Sequence, residues 1–255
     1  MIEHGGRLRR AAQQYGIALT DWLDLSTGIN PHPYPVPPIP AETWQRLPED
    51  DDGLEAAAAG YFGTAALLPV AGSQPAIQAL PQVIPGVRVS VLAPSYAEHA
   101  HAWRHHNASS FAAEALDDVA ASNDIVVVVQ PNNPTGTLFP RERLLAAHRR
   151  LAARGGWLVV DEAFIDTTPE ASLATLAGTD GLVVLRSIGK FFGLAGARVG
   201  FVLAPATVRA ALAERLGPWT VSGPARHAAR HALLDRAWQD DTRRRSEEHT
   251  SELQS

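Results

Sequence analysis

Short runs of apolar, β-branched residues alternate along the chain with longer stretches in which apolar and charged positions recur at helical spacing. The short runs contain few polar positions, which is typical of strands buried on both faces of a sheet. Five strands are predicted in this way, over residues 87–93, 124–130, 157–161, 181–187 and 199–204. The repeated order of strand, helix and strand predicts an α/β fold with a mostly parallel sheet flanked by helices.

Proline and glycine mark where regular structure begins and stops. Residues 140–156 predict a complete helix, with a proline in its first turn and a glycine after its basic last turn. A second helical stretch starts near Ser73, and Pro81 predicts a kink or an early break in it. The prolines of residues 30–40 exclude regular structure, so this segment is predicted to be an extended arm.

Composition and charge exclude several classes of protein. The chain has 255 residues, enough for one large domain or for one domain and part of another. Its formal net charge of -5 argues against a nucleic-acid or anionic-membrane surface. The absence of cysteine excludes disulfides and thiolate metal sites. The N-terminus is charged, and no stretch has transmembrane length, so we predict a cytoplasmic protein.

Lysine usage draws attention to one residue. Of the 22 lysines and arginines, only Lys190 is a lysine. A guanidinium stays protonated and does not attack carbonyl groups, whereas a desolvated amine does. Lys190 is therefore a candidate for Schiff-base formation, with an accident of composition as the alternative explanation.

Polar side chains follow four of the predicted strands at their carboxyl ends, which is where ligands bind in parallel α/β sheets. Asp161 and Ser187 end two strands, while Tyr96 and Asn133 come shortly after two others. Each has an ordinary structural alternative, such as a helix cap or a turn former. Their joint placement favours a functional site.

The segment VAGSQPAIQAL, residues 70–80, adds a candidate phosphate site. Gly72 and Ser73 precede Pro75 at the start of a predicted helix, and amide groups at a helix N-terminus bind phosphate. The same pattern also fits a capped helix that binds no ligand.

Together with these residues, the segment SIGKFFGLAGARVGF, residues 187–201, resembles the fold-type I pyridoxal-phosphate enzymes of the class I/II aminotransferase family. The resemblance extends over about residues 1 to 240. It implies a fold-type I large domain and pyridoxal 5'-phosphate as the cofactor. The cofactor-binding residues that it implies are Ser73, Gln74, Tyr96, Asn133, Asp161, Ser187, Lys190 and Arg198.

The resemblance also implies a role for each of these residues. Lys190 and Asp161 are the catalytic pair: the lysine forms the Schiff base, and the carboxylate keeps the pyridine nitrogen protonated. Tyr96 stacks on the ring, and Asn133 bonds its hydroxyl. The residues implied to hold the cofactor phosphate are Ser73, Gln74, Ser187 and Arg198.

Within that family, the segments EHGGRLRRAAQQYG (3–16) and LDLSTGINPHPYP (23–35) resemble the threonine-phosphate decarboxylases of cobalamin biosynthesis. This implies a homodimer that decarboxylates L-threonine O-3-phosphate to aminopropanol phosphate. By the same resemblance, His4, Gly5 and Gly28 contact the phosphorylated substrate, and Asn133 lies near it.

The chain departs from its relatives in three respects. Phe164 and Leu47 stand where many relatives carry tyrosine. The family's small C-terminal domain, with its carboxylate-binding arginine, is not recognisable, so we expect a chain truncated at the C-terminus. We predict the following division: an N-terminal arm, 1–40; a cofactor-binding large domain, 41–205; the start of an incomplete C-terminal region, 206–245; and a non-native tail, 246–255.

Several alternatives stay open. A histidinol-phosphate-type aminotransferase would share the cofactor site, and a truncated module could bind the cofactor without turnover. A P-loop ATPase is disfavoured because no GxxxxGK[ST] motif occurs. His101 and His105 are spaced to share a helical face, but a solvated helix explains them better than a metal site, and we predict no bound metal.

Overall fold

A seven-stranded sheet forms the centre of the computed structural model, which describes residues 2–252. Its strands are β1 (Leu67–Val70), β2 (Val89–Leu92), β3 (Ser109–Phe111), β4 (Ile125–Val129), β5 (Trp157–Asp161), β6 (Leu182–Ser187) and β7 (Gly200–Leu203). They lie in the order β1-β7-β6-β5-β4-β2-β3. Only β7 runs against its neighbours, so the predicted α/β fold with a mostly parallel sheet is confirmed.

All five predicted strands are present, because long apolar runs are the pattern of central strands. Every residue of β4 is buried, for example. The sequence analysis missed β1 and β3, the two edge strands. β1 contains Pro69, and β3 has two exposed serines among its three residues, so neither carries the apolar pattern of a central strand.

Helices cover both faces of the sheet. They are α1 (Leu8–Tyr15), α2 (Glu42–Gln45), α3 (Leu54–Phe62), α4 (Ser73–Ala79), α5 (Ala97–Ala102), α6 (Leu116–Ser122), α7 (Arg141–Ala152), α8 (Ala206–Leu216), α9 (Gly223–Leu234) and α10 (Arg236–Glu252). The predicted helix at 140–156 is α7. The predicted break also occurs, since α4 ends at Ala79 and a 3-10 turn containing Pro81 follows it. No helix among the described residues has both the length and the apolar character needed to cross a bilayer.

Successive residues of the central strands face two separate cores. Leu158 and Val160 of β5 pack with the cluster that includes Leu54 of α3 and Leu144 of α7. Val159 faces the opposite cluster, which includes Ile77 of α4. This alternation follows from the two-residue period of a strand, and it places helices on both sides of the sheet.

The segment between residues 22 and 41 has neither helix nor strand, in agreement with its prolines. It is anchored to the loop after β6. The Asn30 amide nitrogen donates to the carbonyl of Lys190 over 3.1 Å, and the Tyr34 amide nitrogen donates to the carbonyl of Phe192 over 2.9 Å. These bonds place the segment beside Lys190.

The C-terminal helix joins the rest of the domain through aromatic and polar contacts. Trp238 stacks on Phe192 with 5.6 Å between ring centroids. Nε of Arg243 donates to the carbonyl of Asp166 over 2.9 Å. Residues 246–252 of the predicted tail continue α10, whereas residues 253–255 lie outside the described residues.

Candidate active site

The four strands predicted to carry site residues are adjacent in the sheet. β6, β5, β4 and β2 are consecutive and parallel, so their carboxyl ends lie along one edge. Ser187 and Asp161 are the last residues of β6 and β5. Tyr96 and Asn133 follow β2 and β4 within a few residues. The sheet topology therefore brings together the strand ends that the sequence singled out.

Asp161 is buried, and hydrogen bonds to both of its carboxylate oxygens fix its orientation. It is 3% exposed. Its Oδ1 accepts a hydrogen bond of 3.0 Å from the amide of Ala163, and its Oδ2 lies 2.8 Å from Nε2 of His99, which is 1% exposed. An ionised carboxylate only accepts hydrogen bonds, so His99 donates from Nε2. The sequence analysis missed His99, although its position one helical turn after Tyr96 was a usable signal.

Lys190 lies in the loop after β6, with its Nζ 5.2 Å from the centroid of the Phe164 ring. Burial lowers the pKa of Lys190 below its ordinary value; the Asp161 carboxylate opposes this effect, and the Arg198 guanidinium adds to it. No carboxylate of the described chain comes within salt-bridge distance of Nζ. A lower pKa raises the share of neutral, nucleophilic amine.

Arg198 and Gly72 form a compact cationic corner. Gly72 has φ 76 and ψ 169, a backbone region that is essentially restricted to glycine. A Cβ at this position would come 2.6 Å from Nη2 of Arg198. Within residues 2–252 no ion-pair partner of Arg198 is found, and its guanidinium bonds only the Ala195 carbonyl, over 3.4 Å. The corner therefore has a cation available for an anionic ligand.

The other predicted phosphate-binding residues lie around this corner. Ser73 follows Gly72 directly and begins α4. The hydroxyl oxygen of Ser187 accepts a hydrogen bond of 3.1 Å from the amide of Gly189. The side chain of Gln74 points elsewhere: its Nε2 donates to Glu98 over 2.6 Å, and its Oε1 accepts from the Tyr96 hydroxyl over 3.2 Å. The predicted phosphate contact of Gln74 therefore falls to its backbone amide, which lies in the first turn of α4.

A cavity of about 690 Å³ opens beside Lys190. Gly28 and Asn133 line it, as does Phe164. A Cβ on Gly28 would come 2.7 Å from Cε1 of Phe164, so the close approach of these two residues requires glycine. Helix α10 also contributes to the lining, through Thr242, Arg245 and Ser246.

The remaining predicted substrate residues lie outside the lining of this cavity. His4 contacts Glu98, with 2.6 Å between Nε2 and Oε1, and its ring centroid lies 5.9 Å from that of Tyr96. Gly5 packs against the backbone of Ser26. The predicted residues thus form two groups, one around Lys190 in the cavity and one around Tyr96.

The histidines considered as a metal site do not share a helical face. Helix α5 ends at Ala102, so His105 lies beyond it, and the expectation of a common face was wrong. Helix α5 is shorter than the four-residue spacing of His101 and His105 suggested. Among the described residues, no group of three or more His, Asp or Glu side chains is arranged to hold a metal ion.

Comparison with known families shows which family the chain belongs to. The family described as aminotransferase class I and II matches residues 43–255, more than half of the chain. The chain belongs to this aminotransferase family. Its class I/II aminotransferase fold agrees with the fold-type I architecture predicted from residues 187–201.

Within the class I/II aminotransferase family, the chain is similar to two proteins named threonine-phosphate decarboxylase. The one from Pseudomonas aeruginosa is 59% identical over 241 residues, 94% of this chain and 73% of that protein. The one from a Sinorhizobium species is 48% identical over 233 residues, 88% of this chain and 69% of that protein. A solved structure of L-threonine-O-3-phosphate decarboxylase from Porphyromonas gingivalis matches with a TM-score of 0.68 and 27% identity, covering 76% of this chain and 62% of that one.

Proposed function

We propose that this chain is a pyridoxal 5'-phosphate-dependent carboxy-lyase that converts L-threonine O-3-phosphate to aminopropanol phosphate in cobalamin biosynthesis. One observation carries the proposal: at adjoining strand ends lie a lysine of lowered pKa, a buried aspartate and an arginine that has no carboxylate partner among residues 2–252. The 59% and 48% identities to proteins named threonine-phosphate decarboxylase support the choice of reaction.

The residues present fit the cofactor. Arg198 beside the cramped Gly72 offers a cation for a phosphate, and Lys190 offers an amine for an aldehyde. When bound, pyridoxal phosphate supplies an electron-withdrawing ring that stabilises negative charge at the substrate α carbon. All the residues proposed to hold it fall within the predicted large domain, residues 41–205: Ser73, Gln74, Tyr96, Asn133, Asp161, Ser187, Lys190 and Arg198.

Asp161 holds a proton at the ring nitrogen in this proposal. Its carboxylate is buried and is oriented from two sides, by the Ala163 amide and by His99. A buried anion with a fixed orientation interacts more strongly with a positive partner than a solvated one does. His99 therefore acts through Asp161, as a positioning residue.

Lys190 moves the proton at the reacting carbon. Loss of carbon dioxide leaves electron density at the α carbon, and a neighbouring ammonium group returns a proton there. The lowered pKa of Lys190 brings its proton affinity closer to neutral pH, where general acid–base catalysis is most effective. Phe164 lies against this lysine and has no hydroxyl to compete for the proton.

The substrate phosphate acts as a handle that sets which bond breaks. Gly28 and Asn133 line the cavity beside Lys190, and the arm places His4, followed by Gly5, next to Tyr96 and outside that lining. We assign the phosphate and its neighbouring atoms to these four residues. Holding the far end of the substrate fixes the rotation that aligns the carboxylate for cleavage.

We also propose that the protein is a homodimer. The support is a set of strongly exposed apolar side chains on the arm, on α2 and just after α2. Their exposed fractions are 79% for Leu23, 80% for Leu25, 69% for Trp44 and 63% for Leu47. Exposed apolar surface of this kind marks protein–protein contact sites.

The reaction is tested with the full 255-residue chain loaded with pyridoxal phosphate. We expect carbon dioxide and aminopropanol phosphate to form from L-threonine O-3-phosphate without any keto acid, and Lys190→Ala to abolish both. Product that appears only when a keto acid is supplied would instead establish an aminotransferase. Bound cofactor without either product would establish a non-catalytic module.

A further inference from the structure

A buried carboxylate outside the proposed catalytic set joins the N-terminal arm to the site. Glu98 is 8% exposed. Its Oε1 lies 2.6 Å from Nε2 of His4, and its Oε2 accepts a hydrogen bond of 2.6 Å from Nε2 of Gln74. Both carboxylate oxygens are therefore occupied, one by the arm and the other by the start of α4.

The same carboxylate sets the orientation of the Tyr96 side chain. Because the Gln74 amide nitrogen donates to Glu98, the Gln74 carbonyl oxygen faces the other way. That oxygen accepts the hydrogen bond from the Tyr96 hydroxyl over 3.2 Å. His4, Glu98, Gln74 and Tyr96 thus form a continuous chain of hydrogen bonds, here named the Glu98 network.

Glu98 is held in its ionised form. Burial acts to raise the pKa of Glu98, but hydrogen bonds from His4 and Gln74, together with the positive fields of His4 and His101, outweigh burial and bring the pKa below its ordinary value. No arginine or lysine of the described chain pairs with it. The imidazole of His4 is thus the hydrogen-bonding partner that joins this carboxylate to the arm, and the His4 side chain keeps 41% of its surface exposed to solvent.

We propose that Glu98 is the positioning residue that fastens the N-terminal arm to the active site and presents His4 to the phosphate of the substrate. The inference rests on the proposed function, which assigns His4 to the substrate and Tyr96 to the cofactor. The inference adds that the Glu98 carboxylate couples His4 to Tyr96. When Glu98 is lost, the arm is released and the Tyr96 hydroxyl loses its fixed acceptor.

The first test measures arm release without using catalysis. The full chain loaded with pyridoxal phosphate is digested briefly with trypsin, and cleavage after Arg7, at the start of α1, is followed by mass spectrometry. Because Glu98→Ala removes a charge-assisted hydrogen bond that holds the arm, we expect trypsin to cut this variant at least about tenfold faster than the wild-type chain. The control Glu142→Gln removes a carboxylate that is 80% exposed on α7 and is expected to leave the rate unchanged.

A second variant keeps the test valid if Glu98→Ala fails to fold. His4→Ala removes the other end of the same contact from an exposed segment, so it is expected to accelerate cleavage to the same extent. The double variant is expected to be cut no faster than either single variant, because both remove one interaction. Unchanged cleavage in His4→Ala, or additive effects in the double variant, would overturn the proposal.

The second test separates substrate binding from chemistry. Glu98→Gln keeps the size of the side chain and removes its charge, so we expect KM for L-threonine O-3-phosphate to rise about tenfold with kcat nearly unchanged. In a His4→Ala background the same substitution is expected to have no further effect on KM. A fall in kcat at constant KM would contradict the positioning role. If the wild-type chain produces no carbon dioxide, the proposed function fails, and the cleavage result still decides the role of Glu98.

Discussion

The imidazole of His99 donates a 2.8 Å hydrogen bond to the carboxylate of Asp161, and both side chains are almost wholly excluded from solvent. The two residues come from helix α5 and strand β5, and 62 positions separate them in the chain. An isolated carboxylate at this depth would be costly. The pairing supplies a partner and fixes the direction in which the carboxylate faces the site.

His99→Ala tests this relationship. Removing the donor leaves one oxygen of a buried carboxylate unpaired, so we expect a loss of about 1 to 3 kcal/mol in the free energy of unfolding. Turnover should fall together with stability, because Asp161 loses its orientation. Urea denaturation and carbon dioxide release measure the two effects. His99→Gln, which keeps a donor, is expected to recover part of both, and equal losses in the two variants would argue against a role for the hydrogen bond.

Lys190 is expected to be the residue that the cofactor modifies. Borohydride reduction of the loaded protein, followed by peptide mapping, should place the pyridoxyl group on Lys190. Because its pKa is lowered, the amine becomes neutral at a lower pH than an ordinary lysine. Cofactor incorporation should therefore rise with pH through a midpoint below about 10.4, the value of an unperturbed lysine. Modification at the N-terminal amine alone would refute the assignment.

Gly72→Ala should weaken cofactor binding without unfolding the protein. The new methyl group would occupy the space of the Arg198 guanidinium, at a backbone conformation that costs about 1 to 3 kcal/mol for other residues. We expect the dissociation constant for pyridoxal phosphate to rise at least about tenfold, measured by fluorescence titration. Gly155→Ala is the control: its φ of 70 is also positive, which disfavours alanine, but no atom lies within 4 Å of the added Cβ. Equal weakening in both variants would point to backbone strain and away from Arg198.

The buried ion cluster beneath the site should be essential for stability. Arg186 is 4% exposed and contacts the carboxylates of Glu162 and Asp166. Arg186→Met leaves two carboxylates buried without their cation, with an expected loss of about 3 to 5 kcal/mol in the free energy of unfolding. Arg244, which is 72% exposed and pairs with Asp241, offers the matched control. Arg244→Met should cost less than about 1 kcal/mol, and similar losses in the two variants would contradict this reading of the buried cluster.

The sequence alone determined the central strands, helix α7 and the strand-end positions of Asp161 and Ser187. These features depend on local patterns: a continuous apolar run has few alternatives to a buried strand, and the residue that follows it lies at a predictable edge of a parallel sheet. The uniqueness of Lys190 was likewise visible without a structure. Its assignment to a site came from a motif in which the relevant residues are neighbours along the chain.

Tertiary structure alone decided which distant side chains meet. His4 and Glu98 are 94 positions apart, and no periodicity relates the arm to helix α5. The edge strands β1 and β3 were missed for a related reason, since their pairing comes from neighbouring strands and not from an apolar pattern of their own. No sequence pattern singled out His99, and only the tertiary placement of α5 beside the end of β5 brings its imidazole to Asp161. Such contacts depend on how whole helices and strands are placed relative to one another. That placement is set by the burial of both faces of the sheet, and local sequence patterns do not encode it.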